Sequence, residues 1–161
     1  MVQLDLLDQP QVWILARVTL AAVLGALIGI ERELADKPAG FRTHMLVAGV
    51  ATLLVALGDI AIEHFTSDLG NRVIRADPVR IIEAVITGVS FLGAGTIIRY
   101  DEKNKVEGLT TAASVLVAAA IGIAVALSQI VLAAGVTIIV LVALRGVKFL
   151  EEWLQSSKVL D

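Results

Sequence analysis

From residue 109 to residue 149 the chain runs through aliphatic and small side chains, and only Ser128 and Gln129 punctuate the middle of the run. About 40 residues is twice the length of helix needed to cross a hydrocarbon core about 30 Å thick. Two membrane helices joined by a tight hairpin satisfy that length. The composition agrees: 57% of the 161 residues are hydrophobic, 18% are charged and the mean hydropathy is +0.85, which leaves too little polar surface to cover a soluble globule. The expected fold is an all-α, polytopic integral membrane protein. The same ruler marks five spans at about 12–30, 43–62, 79–98, 109–127 and 129–149, within one membrane domain over 1–161. Pro10, Pro38 and Pro78 fall in connections or just before a span, where a missing N–H does no harm.

Lys and Arg in the short loops set the expected orientation. With the N-terminus outside, Arg32, Lys37, Arg42, Arg99, Lys103, Lys105, Arg145, Lys148 and Lys158 are cytoplasmic, against Arg72, Arg75 and Arg80 outside. N-out, C-in is therefore expected, with Trp13 and Trp153 as anchors near opposite interfaces. The opening MVQLDLLDQP is acidic and has no basic n-region, so the first apolar segment is expected to stay as a helix rather than be removed as a signal peptide. A net charge of −3 points to neither nucleic acid nor acidic lipid, and the bilayer is the partner implied. Without cysteine there is no disulfide and no thiolate metal site.

Arg17 and Glu83 are the clearest charges inside the spans, each costing at least about 2.5 kcal/mol near a helix centre. In the N-out arrangement both lie roughly 6 to 8 Å below the outer surface, and Asp59 sits at a similar level. The three either form a structural ion cluster that fixes helix register or mark an ion or proton path. Small residues recur every four positions in the fourth span, at Thr110, Ser114, Ala118, Gly122 and Ala126, and in the first at Ala21, Gly25 and Gly29. Such faces let membrane helices approach closely, within one chain or between two copies. A homodimer is the expectation. His44 and His64, at the ends of the second span, read as hydrated interface side chains, and no metal site is assigned.

Followed through the topology, GIERELADKPAGFRTHMLV (29–47), GVSFLGAGTI (88–97) and GLTTAAS (108–114) converge at the cytoplasmic ends of their helices. Glu31 and Arg32 end the first helix, Arg42 and Thr43 open the second, and Thr110 and Thr111 begin the fourth. Glu31 and Arg42 are placed to pair across the first loop, Thr43 to cap the second span, and Thr110 or Thr111 to cap the fourth. Gly88, Gly93 and Gly95 either break the third helix or permit close packing against the fourth. FLGAG lacks the third glycine of a dinucleotide loop and the Gly-Lys-Ser/Thr ending of a phosphate loop. No nucleophile, base and orienting group recur at a catalytic spacing, so neither an enzyme nor a cofactor is expected.

ERE, AGFRTHMLV, DPVRI with Asp77 and Arg80, GVSFLGAGTII and GLTTAAS, in this order and over most of 24–122, resemble the membrane domain of the MgtC/SapB family. The resemblance implies a multi-pass bacterial inner-membrane protein of about five helices, linked to growth in low magnesium, to host or acid stress and to virulence. Members are not established transporters, and some are thought to regulate other membrane machinery, including the F-type ATP synthase. Longer members carry a cytoplasmic domain after the membrane part. Only KFLEEWLQSSKVLD follows the last span here, so a minimal, SapB-like unit is expected. A non-enzymatic regulator is the first functional expectation; a small cation transporter or channel for Mg2+ or H+, working as an oligomer, is the second.

Overall fold

The computed structural model describes residues 10–68, 77–100 and 105–157; Arg72, Arg75, Lys103 and Lys158, used above for orientation, lie outside them. Five helices and one short hairpin follow in the order α1 (Pro10–Leu34), α2 (Phe41–Asp68), α3 (Pro78–Ala94), β1 (Ile98–Tyr100), β2 (Lys105–Glu107), α4 (Leu109–Ala126) and α5 (Ile130–Ser157). α1, α2 over Phe41–His64, and α4 are each long and apolar enough to cross a membrane, and the apolar part of α5 is Ile130–Gly146. Large apolar side chains point outward around the bundle, with Val131 at 88% exposure and Leu15, Ile139 and Val142 close to two-thirds exposed. In water such a surface would aggregate; in lipid it is the expected exterior of an integral membrane protein.

The helix ends follow local chemistry. α1 closes in a Schellman turn: Lys37 N–H donates to the Arg32 carbonyl at 3.0 Å and Asp36 N–H to the Glu33 carbonyl at 3.1 Å, with Asp36 at φ 55° and Pro38 just beyond. The α4–α5 hairpin repeats the device. Gln129 N–H reaches the Ala124 carbonyl at 2.8 Å and Ser128 N–H the Val125 carbonyl at 3.0 Å, with Ser128 at φ 62°. α3 opens on Pro78 with the Asp77 carboxylate accepting from Val79 N–H at 3.1 Å.

The third span expected over 79–98 ends early, at Ala94. The Thr96 hydroxyl donates to the Gly93 carbonyl at 2.7 Å and Thr96 N–H to the same carbonyl at 3.0 Å, which tightens the chain into a turn beside the Gly95 cap. Ile98 to Tyr100 then pair antiparallel with Lys105 to Glu107, in the register Ile98↔Glu107 and Arg99↔Val106. The helical content is as expected, but this connection is a β-hairpin.

α1, α2 and α4 form the centre; α3 packs on α4 and α2, and α5 on α1 and α4. His44 lies opposite Ser114 and Thr52 opposite the Gly122 carbonyl, so α2 and α4 run parallel. α1 runs antiparallel to them, since Gly29 meets Gly40 and Phe41 while Gly25, a turn earlier, meets His44 and Ala48. The small-residue ladders make this contact possible. A Cβ on Gly25 would stand 2.5 Å from the His44 carbonyl oxygen, and one on Gly122 would collide with the Ala48 carbonyl. Ser114, Ala118, Gly122 and Ala126 are buried, whereas Thr110, at the end of the row, is exposed. The ladder is therefore occupied by α1 and α2 of the same chain. Thr52 adds a bond across the α2–α4 seam, donating to the Gly122 carbonyl at 2.8 Å, a contact that membrane helices use with small side chains.

Candidate functional site

One end of the bundle gathers α1's last turn, α2's first, the β-hairpin and the start of α4. Glu31 and Arg32 are both buried, at 6% and 5% exposure. They hold each other: Arg32 Nε donates to Glu31 Oε2 at 2.6 Å and Nη2 to Oε1 at 2.8 Å, a bidentate fork on one carboxylate. The expected Glu31–Arg42 pair is not formed. Arg42 sits on the exposed side of α2's first turn, while the long Arg32 side chain can fold back on its neighbour.

The caps differ too. α2 begins at Phe41, two residues before Thr43, and its Phe41 N–H is taken by the Glu33 carboxylate at 2.9 Å. Glu33 thus replaces Thr43 as the cap, placing negative charge where the helix dipole favours it. Nor do Thr110 and Thr111 cap α4. The N-cap is Gly108 at φ 90°, with no side-chain cap bond, and a Cβ there would collide with the Thr96 carbonyl oxygen.

His44 is no hydrated interface side chain. It is fully buried, with Nδ1 2.9 Å from the Gly40 carbonyl oxygen and Nε2 2.9 Å from Ser114 Oγ. A carbonyl only accepts, so Nδ1 carries a proton, and Nε2 is left to the Ser114 hydroxyl. That hydroxyl also lies 2.9 Å from the Thr111 carbonyl oxygen, so its one proton is shared between two acceptors. The spacing of His44, Ala48 and Thr52, four apart on one face of α2, was the available signal.

Beside this cluster lies a cavity of about 500 Å³, lined by Arg32, Lys37, Thr96, Glu107, Gly108 and the Thr110–Thr111 pair, among others. The α1–α2 loop, the end of α3 and the start of α4 are thus brought together around one space. Other expected residues lie elsewhere. Gly93 rests on Ala112, with a hypothetical Cβ 3.4 Å from its carbonyl oxygen, so it serves close packing; Gly95 is the α3 C-cap; Gly88 has nothing within 4 Å.

The outer cluster does not form. Arg17 donates to the Ala126 carbonyl at 3.3 Å, while Asp59 and Glu83 are exposed, and among the described residues no ion pair joins the three. They share a depth but not a side: α2 and α4 stand between α1 and α3. Asp77 and Arg80 lie at that same far end, exposed and 3.8 Å apart. Among the described residues no three His, Cys, Asp or Glu gather as a metal site.

Comparison with known proteins finds the same segments. The MgtC family profile matches residues 18–153. The chain is 39% identical over 123 residues to protein MgtC of Salmonella typhimurium, covering 76% of this chain and 47% of that one. It is 37% identical over 111 residues to protein SapB of Bacillus subtilis, covering 69% and 46%. With a protein of Escherichia coli K12 named a putative magnesium transporter, YhiD, it shares 38% identity over 109 residues, covering 68% and 48%. The chain thus spans about half the length of these curated relatives. No solved structure matches it. A profile match over most of the chain, with relatives far above chance identity, makes this five-helix membrane protein a member of the MgtC family.

Proposed function

We propose that the chain is a multi-pass protein of the bacterial inner membrane, N-terminus out and C-terminus in, that acts as a non-enzymatic regulator of other membrane machinery in adaptation to low magnesium or host stress. The observation that carries the reading is the closed α1–α2–α4 seam. Ala21, Ala48 and Ala118 are fully buried there, and Gly25 and Gly122 leave no room even for a methyl group. An ion path along that seam would need space that backbone contact occupies. The polar groups collect instead at one end, around a cavity that opens where a partner or ligand can reach it. The partner in this reading is another membrane protein, such as the F-type ATP synthase that the resemblance implies. A homodimer would use the outer faces of α3 and α5, where Gly88 and Gly135 have nothing within 4 Å, because the ladder of α4 is already occupied.

Cation transport is the competing reading, and it rests on the name given to the Escherichia coli relative. Flux of Mg2+ or H+ into proteoliposomes separates the two. The regulator reading expects no flux above empty vesicles from folded protein, together with capture of a membrane partner from crosslinked inner membranes. Flux from folded wild type that is abolished by Glu83→Gln, in a variant that still folds, would establish transport.

A further inference from the structure

One face of α3 carries groups that neither the rest of the chain nor lipid satisfies. Arg80, Glu83, Thr87, Ser90 and Ala94 are all exposed, and they follow the alternating three-and-four spacing of a helix–helix seam. At about 100° per residue, Arg80 and Glu83 lie about 60° apart around the helix, and Thr87 and Ala94 fall between them. The opposite face, with Val85 and Gly93, is buried in the bundle. Ile81 lies against Gly58 of α2, six residues before His64, where the membrane-length stretch of α2 ends. At about 1.5 Å per residue the two charges are therefore about 9 Å inside that end. Charges at membrane depth are costly on a lipid-facing surface and almost always pair. Among the described residues the Arg80 guanidinium has only the Asp77 carboxylate, 3.8 Å from its Nε, and the Glu83 carboxylate has no partner.

Self-association answers both charges. When two copies of a helix pack in parallel about a twofold axis, a side chain on one flank of the seam meets the partner's side chain from the opposite flank at nearly the same depth. Arg80 and Glu83 stand on opposite flanks, three residues apart in sequence and so about 4.5 Å along the axis, which an arginine side chain spans. We propose that a second copy docks on this face, α3 against α3, with Arg80 of each copy paired to the partner's Glu83. Thr87 and Ala94 then lie at the centre, where small side chains let the two backbones approach closely. The outer face of α5 offers no such selection, because Val131, Ile139 and Val142 are covered as well by lipid as by protein. The inference rests on the homodimer proposed above and assigns its contact to α3.

The test is disulfide crosslinking of the full chain in native membranes, which is clean because the chain has no cysteine of its own. Thr87→Cys and Ala94→Cys are each expected to give a covalent dimer on oxidation. Leu92→Cys, exposed but on the other side of α3, is not. Arg80→Glu or Glu83→Arg should each cut the Thr87→Cys dimer about tenfold, because each sets like charges together across the seam. Combining the two exchanges should restore it. Both side chains are exposed, so the single and double variants should melt close to the wild-type temperature in detergent. A dimer linked through Ile139→Cys on α5 and not through Thr87→Cys overturns the α3 seam and leaves the homodimer intact. Linking that the single exchanges leave unchanged, or that the double exchange fails to restore, overturns the reciprocal ion pairs. No link at any of these positions, with a monomer mass in sedimentation, contradicts the homodimer as well.

Discussion

Glu31→Gln is expected to lower stability by about 3 kcal/mol or more, because it leaves the Arg32 guanidinium buried without its counter-charge. The pair is 6% and 5% exposed and bidentate, so little water is available to replace the lost carboxylate. Arg42→Gln, on an exposed side chain, is expected to stay within about 0.5 kcal/mol. The double variant Glu31→Gln with Arg32→Met should recover much of the loss, since replacing both members of a buried pair is often close to neutral. Reversible unfolding in detergent, read as a double-mutant cycle, gives the coupling directly. Coupling of Glu31 to Arg42 instead of Arg32 would restore the pairing expected from the loop sequence and contradict the observed fork.

Gly108→Ala carries an effect of the same size for a different reason. At φ 90° a side chain is strained by about 1 to 3 kcal/mol, and its Cβ would also collide with the Thr96 carbonyl oxygen, an overlap worth about as much again. The contact joins the α3 turn to the α4 start, so relieving it would open the cavity wall. Gly88→Ala is the matched control. It sits mid-helix with nothing within 4 Å, and alanine there should be neutral or stabilise by up to about 1 kcal/mol. Thermal unfolding of the two variants should therefore diverge widely; equal melting temperatures would mean that Gly108 does not hold the positive φ.

The five helices were legible because hydrophobic length and turn residues act along the chain, as Ser128 and Gln129 show by forming the α4–α5 Schellman turn. What failed was direction around each helix. Arg17 and Glu83 share a depth, but depth does not say that α2 and α4 stand between them. Glu31 and Arg42 flank one loop, yet the sequence neighbour Arg32 reaches the carboxylate more easily. His44 looked like an interface residue by its position near a span end, yet the α4 ladder brings Ser114 against it. The β-hairpin was hidden because three-residue strands in a charged loop carry too little pattern to compete with the apolar helix before them. Glu33 acts as a cap from eight residues away, beyond the local spacing by which caps are recognised.

Segments far apart in sequence close one cavity at the end of the bundle that carries the α1–α2 loop. The chain has no cysteine, so pairs can be introduced cleanly. Lys37→Cys and Thr110→Cys, both exposed and both on the cavity wall, should be joined efficiently within one chain by a short bis-maleimide in membranes, as read by mass spectrometry. Lys37→Cys with Asp59→Cys should not, because Asp59 lies about 27 Å along α2 from its start. Modification of Lys37→Cys and Thr110→Cys separately without a link between them, or a link to Asp59→Cys instead, would contradict the account.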